Sequence, residues 1–214
     1  MGVRWCDDCQ KKIVPLVEGV CERCGIPVKK TTLCDRCRDE LPTYRALRSW
    51  AAFEFPVRQA LHKLKYRRDL GLGDALAVPI LDFADGLHWP FEVVLPVPLG
   101  RKRMEERGYN QVALIAQPFA LALGREYRPA ALRRKRETRS QVGLSANERH
   151  ENVKDAFVAD PRFVQGKIVL VFDDVATTGA TLSACAQALF QSGAKDVYAL
   201  TVARALPHHG LDTV

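Results

Sequence analysis

The sequence predicts an α/β fold, in which a parallel sheet carries helices on both faces and a small cysteine-rich segment precedes it. Short apolar runs of strand length alternate with stretches of helical period over most of the chain, which is the pattern of βαβ units. Three Cys-x-x-Cys pairs lie within the first 37 residues. A chain of 214 residues can hold one moderate domain and a small appendage. We therefore assign residues 1–42 to the appendage and 43–214 to the main domain.

The cysteine pairs indicate a metal site rather than disulfides, because paired knuckles at short spacing are typical of zinc in a reducing compartment. Zinc takes four thiolates in a tetrahedron, and a segment with so little core would draw most of its folding free energy from the metal. The stretch CERCGIP…LCDRC resembles one complete zinc ribbon, with ligands Cys21, Cys24, Cys34 and Cys37. Cys6 and Cys9 are a half-site: either they pair with the first knuckle instead, or an upstream knuckle has been lost.

The elements of the main domain follow from periodicity and from helix-terminating residues. Residues 49–55 form a predicted strand, and Pro56 opens a helix whose end is crowded with cations, including Lys63 and Lys65, which the helix dipole favours there. The remaining predicted elements are helices over 73–83 and 111–123, a strand over 91–97, a strand over 169–172, a helix from 182 to 192 closed by Gly193, and a strand over 197–203.

A basic loop is predicted after the strand 91–97. It carries Arg101, Lys102, Arg103 and Arg107, and guanidinium groups are well suited to binding phosphate oxygens in pairs. The loop therefore suits the diphosphate end of a ligand.

A second basic segment, over about 133–150, has little apolar periodicity. We predict a mobile arm that could close over a bound substrate and exclude water. Its cations Arg133, Arg134 and Arg139 suit either a leaving diphosphate or a nucleic-acid backbone. A solvated, charged loop is the alternative. Within it, Ser145 followed by Glu148 is a capping-box pattern that opens a short helix.

The stretch from Ile168 to Leu182, IVLVFDDVATTGATL, carries the most specific signal in the chain. A short apolar run predicts a buried parallel strand that ends before Asp173 and Asp174, and small and hydroxyl residues then lead into a helix. Backbone N–H groups at such a turn bind anions, whereas ionised carboxylates accept hydrogen bonds from vicinal hydroxyls. The stretch therefore predicts a site for a phosphorylated sugar, with an ordinary strand–turn–helix as the alternative.

This stretch resembles the phosphoribosyl diphosphate (PRPP) motif of type I phosphoribosyltransferases, whose order is strand, two acids, small spacer and TTGAT. The resemblance implies a type I phosphoribosyltransferase-like, Rossmann-type sheet. It implies that Asp173 and Asp174 are the catalytic carboxylates and hold the ribose hydroxyls, and that Mg²⁺ accompanies PRPP. The PRPP contacts assigned in addition to this pair are Val175, Ala176, Thr177, Thr178, Gly179, Ala180, Thr181, Arg101 and Lys102.

A wider series of motifs resembles the ComF family. The series is CxxCGxP…LCxxC, HKLKY, PVPL…R…RGYNQ, TRSQ and DDVATTGAT, and it covers roughly residues 21–204. ComF proteins are phosphoribosyltransferase-like proteins associated with bacterial DNA uptake in natural transformation. The resemblance implies a protein that handles incoming single-stranded DNA, with competence-machinery proteins among its partners. An active phosphoribosyltransferase that transfers 5-phosphoribose from PRPP to a nucleobase or related acceptor is the alternative.

Charge and hydropathy favour a polyanionic partner and a cytoplasmic location. The net charge is +7, no apolar run approaches the roughly 18 residues that span a membrane, and the first residues lack the apolar core of a signal peptide. Exposed cations and aromatic faces suit single-stranded DNA. The predicted DNA or diphosphate contacts are Lys63, Lys65, Arg107, Arg133, Arg134 and Arg139, with Tyr66, Tyr109 and Trp50 as stacking faces.

Overall fold

Residues 5–29, 32–138 and 145–206 are described in this computed structural model. The strands are β1 (Ala46–Ala52), β2 (Val93–Pro96), β3 (Glu126–Tyr127), β4 (Leu132–Arg134), β5 (Phe157–Ala159), β6 (Ile168–Ala176) and β7 (Asp196–Arg204). The helices are α1 (Asp7–Lys11), α2 (Asp35–Asp39), α3 (Val57–Tyr66), α4 (Leu72–Asp85), α5 (Arg101–Arg107), α6 (Gln111–Ala122), α7 (Ala146–Val153), α8 (Pro161–Val164) and α9 (Ala180–Gln191).

The main sheet has five parallel strands in the order β1-β7-β6-β2-β3. The central strand β6 pairs with β7 on one side and with β2 on the other. Parallel strands present their carboxyl ends at one edge of the sheet, so the residues that follow β6 and β2 come together there. A short antiparallel pair, β4 and β5, lies outside this sheet.

Both faces of the sheet are covered, because alternate residues of β6 point to opposite cores. Leu170 and Phe172 pack with α3, α4 and α6, whereas Val169 and Val171 pack with α9, α7 and the β4–β5 pair. A strand buried on both faces is expected to be apolar throughout rather than alternating. The predicted parallel α/β fold with helices on both faces is confirmed.

Three predicted boundaries were wrong. Strand β6 continues through Asp173 and Asp174 to Ala176, because β7 supplies partners for these residues, with Asp173 opposite Thr201. Strand β1 spans Ala46–Ala52 instead of 49–55, since its pairing with β7 begins at Ala46. The residues of the predicted basic loop form the helix α5, which ends at Gly108 in the left-handed conformation.

The basic arm predicted over 133–150 is also corrected where the structure describes it. Arg133 and Arg134 belong to β4, which pairs with β5, and Leu132 beside them is buried in the core. Pairing with a strand more than twenty residues away leaves no local periodicity to detect. The capping box is present, since the Ser145 backbone N–H donates to Glu148. Arg139 lies outside the described residues.

The cysteine-rich segment packs directly on β1. The backbone N–H of Leu47 donates to the carbonyl of Arg23 over 2.7 Å. Gly25 has a φ of +69°, and a Cβ there would lie 2.5 Å from the Leu47 carbonyl oxygen. The close approach of the first knuckle to β1 therefore requires glycine at this position.

Candidate functional site

The carboxylate of Asp174 is buried and held by two donors from different elements. Its Oδ2 accepts hydrogen bonds from Lys65 Nζ of α3 and from Gln111 Nε2 of α6, each over 2.9 Å. Burial acts to raise the pKa of Asp174, but Lys65 and Gln111 outweigh it, and the pKa lies below its ordinary value. Asp174 is therefore ionised at neutral pH and joins β6 to both helices.

Asp173 has the opposite electrostatic environment. Burial, reinforced by the neighbouring charge of Asp174, raises the pKa of Asp173 to about 7. Its Oδ1 accepts the backbone N–H of Asp174 over 2.8 Å. Two adjacent carboxylates with separated pKa values can act differently near neutral pH, one as a fixed acceptor and the other as a group that gains or loses a proton.

A tight turn at residues 177–179 connects β6 to α9. Gly179 has a φ of +82°, and Thr178 Oγ1 accepts the N–H of Ala180 over 3.3 Å. Beside the turn lies a hollow of about 30 Å³, lined by Asp173, Val175, Ala176, Thr177, Gly179, Ala180, Thr181 and Leu182. A turn of small residues before a helix N-terminus presents backbone N–H groups to an anion. The predicted phosphate-loop residues other than Thr178 thus line one small hollow.

A cleft of about 450 Å³ opens over the acidic pair at the same edge of the sheet. This volume is in the range of small-molecule sites. The lining of the cleft is rich in cations, and the charged residues that line it are Lys65, Arg68, Arg103, Glu106, Arg107, Arg134, Arg149, Asp173 and Asp174. A cleft that combines carboxylates with guanidinium groups suits a ligand that has hydroxyls at one end and phosphates at the other.

The predicted cations divide into two groups. Lys65, Arg107 and Arg134 line the cleft together with Asp173, Asp174, Val175, Thr177 and Thr181. The other predicted cations in the described residues, Lys63, Arg101, Lys102 and Arg133, are exposed and do not line it. Arg101 pairs with Glu105 on its own helix. The diphosphate role assigned to Arg101 and Lys102 therefore fits Arg103 and Arg107 of α5, which line the cleft, better.

Sequence reasoning missed Gln111 and Arg149. The sequence predicts Gln111 only as the first residue of a helix, yet its side chain is buried and donates to Asp174. Arg149 of α7 is buried against the cleft. For Gln111 the RGYNQ motif was a usable signal, since Asn110 caps α6 and thereby fixes the position of Gln111. For Arg149 no local pattern pointed to the site.

The predicted stacking faces are not equivalent. Trp50 is 8% exposed and packs in the core of the main domain, so its prediction was wrong. Tyr66 is 63% exposed, and its ring lies below the Arg107 guanidinium at 5.1 Å. Tyr109 lines the cleft, and its hydroxyl donates to the Leu64 carbonyl.

Four cysteines are placed to bind a metal ion. The Sγ atoms of Cys21, Cys24, Cys34 and Cys37 all lie within 4.8 Å of one another. Tetrahedral sulfurs about 2.3 Å from zinc lie about 3.8 Å apart, and the Cys24–Cys34 separation is 3.6 Å. Burial opposes ionisation of Cys21, but backbone N–H donors, including those of Cys24 and Cys34, lower its pKa to about 6. Burial raises the pKa of Cys24 and of Cys37, so the fit to a metal rests on the sulfur positions. The residues therefore fit a structural metal.

Cys6 and Cys9 lie apart from this cluster. They flank the start of α1, where Cys6 is exposed, and in the described part of the chain the metal-ligand group contains neither of them. Cys185 is fully buried in α9. Cys21 and Cys24 therefore group with Cys34 and Cys37, rather than with Cys6 and Cys9.

The metal-ligand segment contacts the turn at the cleft directly. Arg36, between the ligands Cys34 and Cys37, donates through Nη1 to the Thr178 carbonyl over 2.7 Å. On the other side of the turn, a Cβ on Gly179 would lie 2.7 Å from the hydroxyl of the buried Tyr44. The turn therefore accepts a hydrogen bond from the cysteine-rich segment.

The fold and the site define an α/β protein with a five-stranded parallel sheet and, ahead of it in the chain, a four-cysteine motif that resembles a zinc ribbon. The chain is 34% identical over 208 residues to the DNA utilization protein YhgH of Salmonella typhimurium, covering 94% of this chain and 90% of the relative. It is 29% identical to competence protein F of Haemophilus influenzae (94% and 96% covered) and 27% identical to competence protein ComFC of Bacillus subtilis (93% and 83% covered). The chain belongs to the ComF family.

Solved structures show only a distant likeness. A crystal structure of adenine phosphoribosyltransferase is 18% identical, with a TM-score of 0.41, over 66% of this chain and 74% of that one. No protein-family model matches the chain. Among the described residues, no helix has the length and apolar character needed to cross a membrane.

Proposed function

We propose that the cleft binds PRPP together with Mg²⁺, and that the protein acts in DNA uptake by handling single-stranded DNA. The observation that supports the first part is the position of the acidic pair. Asp173 lines both the hollow beside residues 177–181 and the cleft, and Asp174, Arg103, Arg107 and Arg134 line the cleft with it. PRPP carries a 5′-phosphate, two vicinal hydroxyls and a diphosphate, which are groups that such a lining can bind.

Each part of PRPP has a matching set of donors or acceptors. The hydroxyls donate to the carboxylates of Asp173 and Asp174, which as ions are purely acceptors. The 5′-phosphate lies against the backbone of the turn, where small side chains permit close approach. The diphosphate faces the arginines, which bind its oxygens in pairs. Mg²⁺, when bound, neutralises part of the diphosphate charge.

Calorimetric titration of the protein with PRPP tests this proposal. In the presence of Mg²⁺ we expect saturable binding that is tighter than the binding of ribose 5-phosphate or pyrophosphate alone, because each fragment leaves one wall of the cleft unused. The absence of heat for PRPP, or equal affinity for PRPP and pyrophosphate, would contradict it.

The DNA role is supported by the relatives and by the charge of the chain. The names of the Salmonella and Haemophilus proteins concern DNA utilization and competence, and the net charge of +7 favours a polyanion. We expect single-stranded DNA to bind with an affinity that falls as salt rises, with a log–log slope of about −0.7 for each phosphate neutralised. A slope of log affinity against log salt concentration near zero, in a gel-shift or anisotropy series, would contradict this role.

A phosphoribosyl transfer reaction is the second candidate, and the pKa of about 7 at Asp173 favours it. A group with that pKa can accept a proton from an attacking nitrogen near neutral pH. In the reaction, a bond forms between the acceptor nitrogen and the ribose anomeric carbon, the bond from that carbon to the diphosphate breaks, and pyrophosphate leaves. A screen of nucleobases for pyrophosphate release tests it, with Asp173→Asn expected to be inactive. Release from PRPP that is unaffected by Asp173→Asn would contradict the assigned role.

A further inference from the structure

A second concave surface adjoins the cleft and plays no part in holding PRPP. This aromatic groove, of about 590 Å³, is formed mainly by Phe53, Phe55, Arg58, His62, Lys65 and Tyr66. Lys65 and Tyr66 line both the groove and the cleft. The groove therefore begins where the proposed ligand site ends.

The aromatic side chains of the groove are exposed to an unusual degree for large apolar residues. Phe55 is 50% and Tyr66 63% exposed. His62 packs against Tyr66 with 4.8 Å between ring centroids. Exposed aromatic residues grouped on one concave surface indicate a binding site rather than scattered surface residues. The flat faces of these rings suit a flat apolar partner.

The charges around the groove are positive. Lys12 Nζ lies 5.6 Å from the centre of the Phe55 ring, and the Arg107 guanidinium covers the Tyr66 ring at 5.1 Å. Arg58, near the start of α3, is exposed and lines the groove. No carboxylate is among the described residues that line the groove. A partner that is both flat and anionic satisfies both the aromatic and the cationic residues.

We propose that this groove binds unpaired bases of single-stranded DNA, which stack on Phe55 and Tyr66 while the adjoining phosphates contact Lys12 and Arg58. Aromatic platforms flanked by cations bind single strands with little sequence preference, because every base has a π-face. The assignment rests on the proposed DNA role and goes beyond it by naming the surface. Continuity with the cleft would place the strand beside the bound ribose phosphate.

The test uses the full chain and a fluorescent oligo(dT) in anisotropy titrations. Phe55→Ala is expected to weaken binding by about 5- to 150-fold, the effect of removing one stacking platform, with an unchanged salt slope. Arg58→Gln is expected to reduce the slope by about 0.7. Leu121→Ala is the matched control, since Leu121 is an exposed apolar residue of α6 that does not line the groove.

A second probe separates bases from backbone. An abasic oligonucleotide of the same length is expected to bind wild-type protein about as weakly as oligo(dT) binds Phe55→Ala. Phe55→Ala should bind PRPP as wild type does, because Phe55 does not line the cleft. If Phe55→Ala binds oligo(dT) normally, or if abasic and native strands bind equally, the groove is not the base site. If the wild-type protein binds no single-stranded DNA at all, both the groove assignment and the proposed DNA role are contradicted. PRPP binding is tested separately by calorimetry.

Discussion

Replacing Asp173 by asparagine is expected to weaken PRPP binding by about ten- to hundredfold, since a hydrogen bond to a charged acceptor contributes about 1.5–3 kcal/mol. Asparagine retains the shape of the side chain but loses the charge that favours the ribose hydroxyls. The double replacement Asp173→Asn with Asp174→Asn should abolish measurable binding. Calorimetry with PRPP and Mg²⁺ measures both effects.

The single variant Asp173→Asn is the sharper test. Asp174→Asn leaves Lys65 without its carboxylate partner, and breaking a buried ion pair destabilises a protein by about 3–5 kcal/mol, so thermal unfolding must be measured alongside binding. Asp82→Asn, on the exposed side of α4, is the matched control for loss of one acid. If Asp173→Asn binds PRPP with wild-type affinity, the carboxylate pair is not part of the PRPP site.

The pH dependence of binding follows from the pKa of about 7 at Asp173. Below that pH, Asp173 is increasingly protonated and becomes a weaker acceptor for the hydroxyls. PRPP affinity should therefore rise as pH increases from about 6 to 8 and then level off. Phosphate groups also titrate, near 6, so the comparison is with Asp173→Asn. A rise of the same size in that variant would show that Asp173 does not titrate in this range.

Removing the metal from the four-cysteine cluster is expected to weaken PRPP binding, although none of the four cysteines lines the cleft. A segment with little core depends on its metal for folding, and this segment holds the turn through the hydrogen bond from Arg36 to Thr178. We expect one zinc per chain by elemental analysis. In the metal-free protein we expect faster hydrogen exchange at the backbone amides of residues 177–181, together with at least a tenfold loss of PRPP affinity.

Two pairs of variants separate this coupling from general unfolding. Arg36→Ala retains the four cysteines and is expected to lower PRPP affinity by up to about tenfold, because one hydrogen bond from a charged donor is lost. The control Arg38→Ala removes a neighbouring arginine that pairs only with Asp35 in the described structure. Cys6→Ser with Cys9→Ser should retain zinc and affinity. Unchanged binding and exchange in metal-free protein would show that the two parts are independent.

The local signals in the sequence located the centre of the site and the metal-ligand group. The acids, the small residues of the turn and the two knuckles are each contiguous in sequence, and their chemistry is set by residue type and spacing. The confirmed sheet follows from the same kind of signal, because a strand buried on both faces, such as β6, is an uninterrupted apolar run.

The cationic residues of the cleft were predicted only in part, since Lys65, Arg107 and Arg134 were among the predicted contacts whereas Arg149 was not. Arg134 and Arg149 are brought to Asp173 by the pairing of β4 with β5 and by the packing of α7 against α9. These contacts join residues that are distant in sequence, so no window of ten or fifteen residues contains them. Trp50 failed for a related reason, because its burial depends on helices packed over β1. The residue type of Trp50 suggests an exposed stacking face, but tertiary packing buries its ring.

A crystal structure of the protein with PRPP and Mg²⁺ tests the central claim most directly, since it gives the position of every group of the ligand. We expect the 5′-phosphate within hydrogen-bond distance of the backbone N–H groups of residues 177–181. The ribose hydroxyls should lie on Asp173 and Asp174, and the diphosphate should face Arg103, Arg107 and Arg134. A ligand bound away from the acidic pair, or bound only through its diphosphate with the ribose turned toward solvent, would contradict the account.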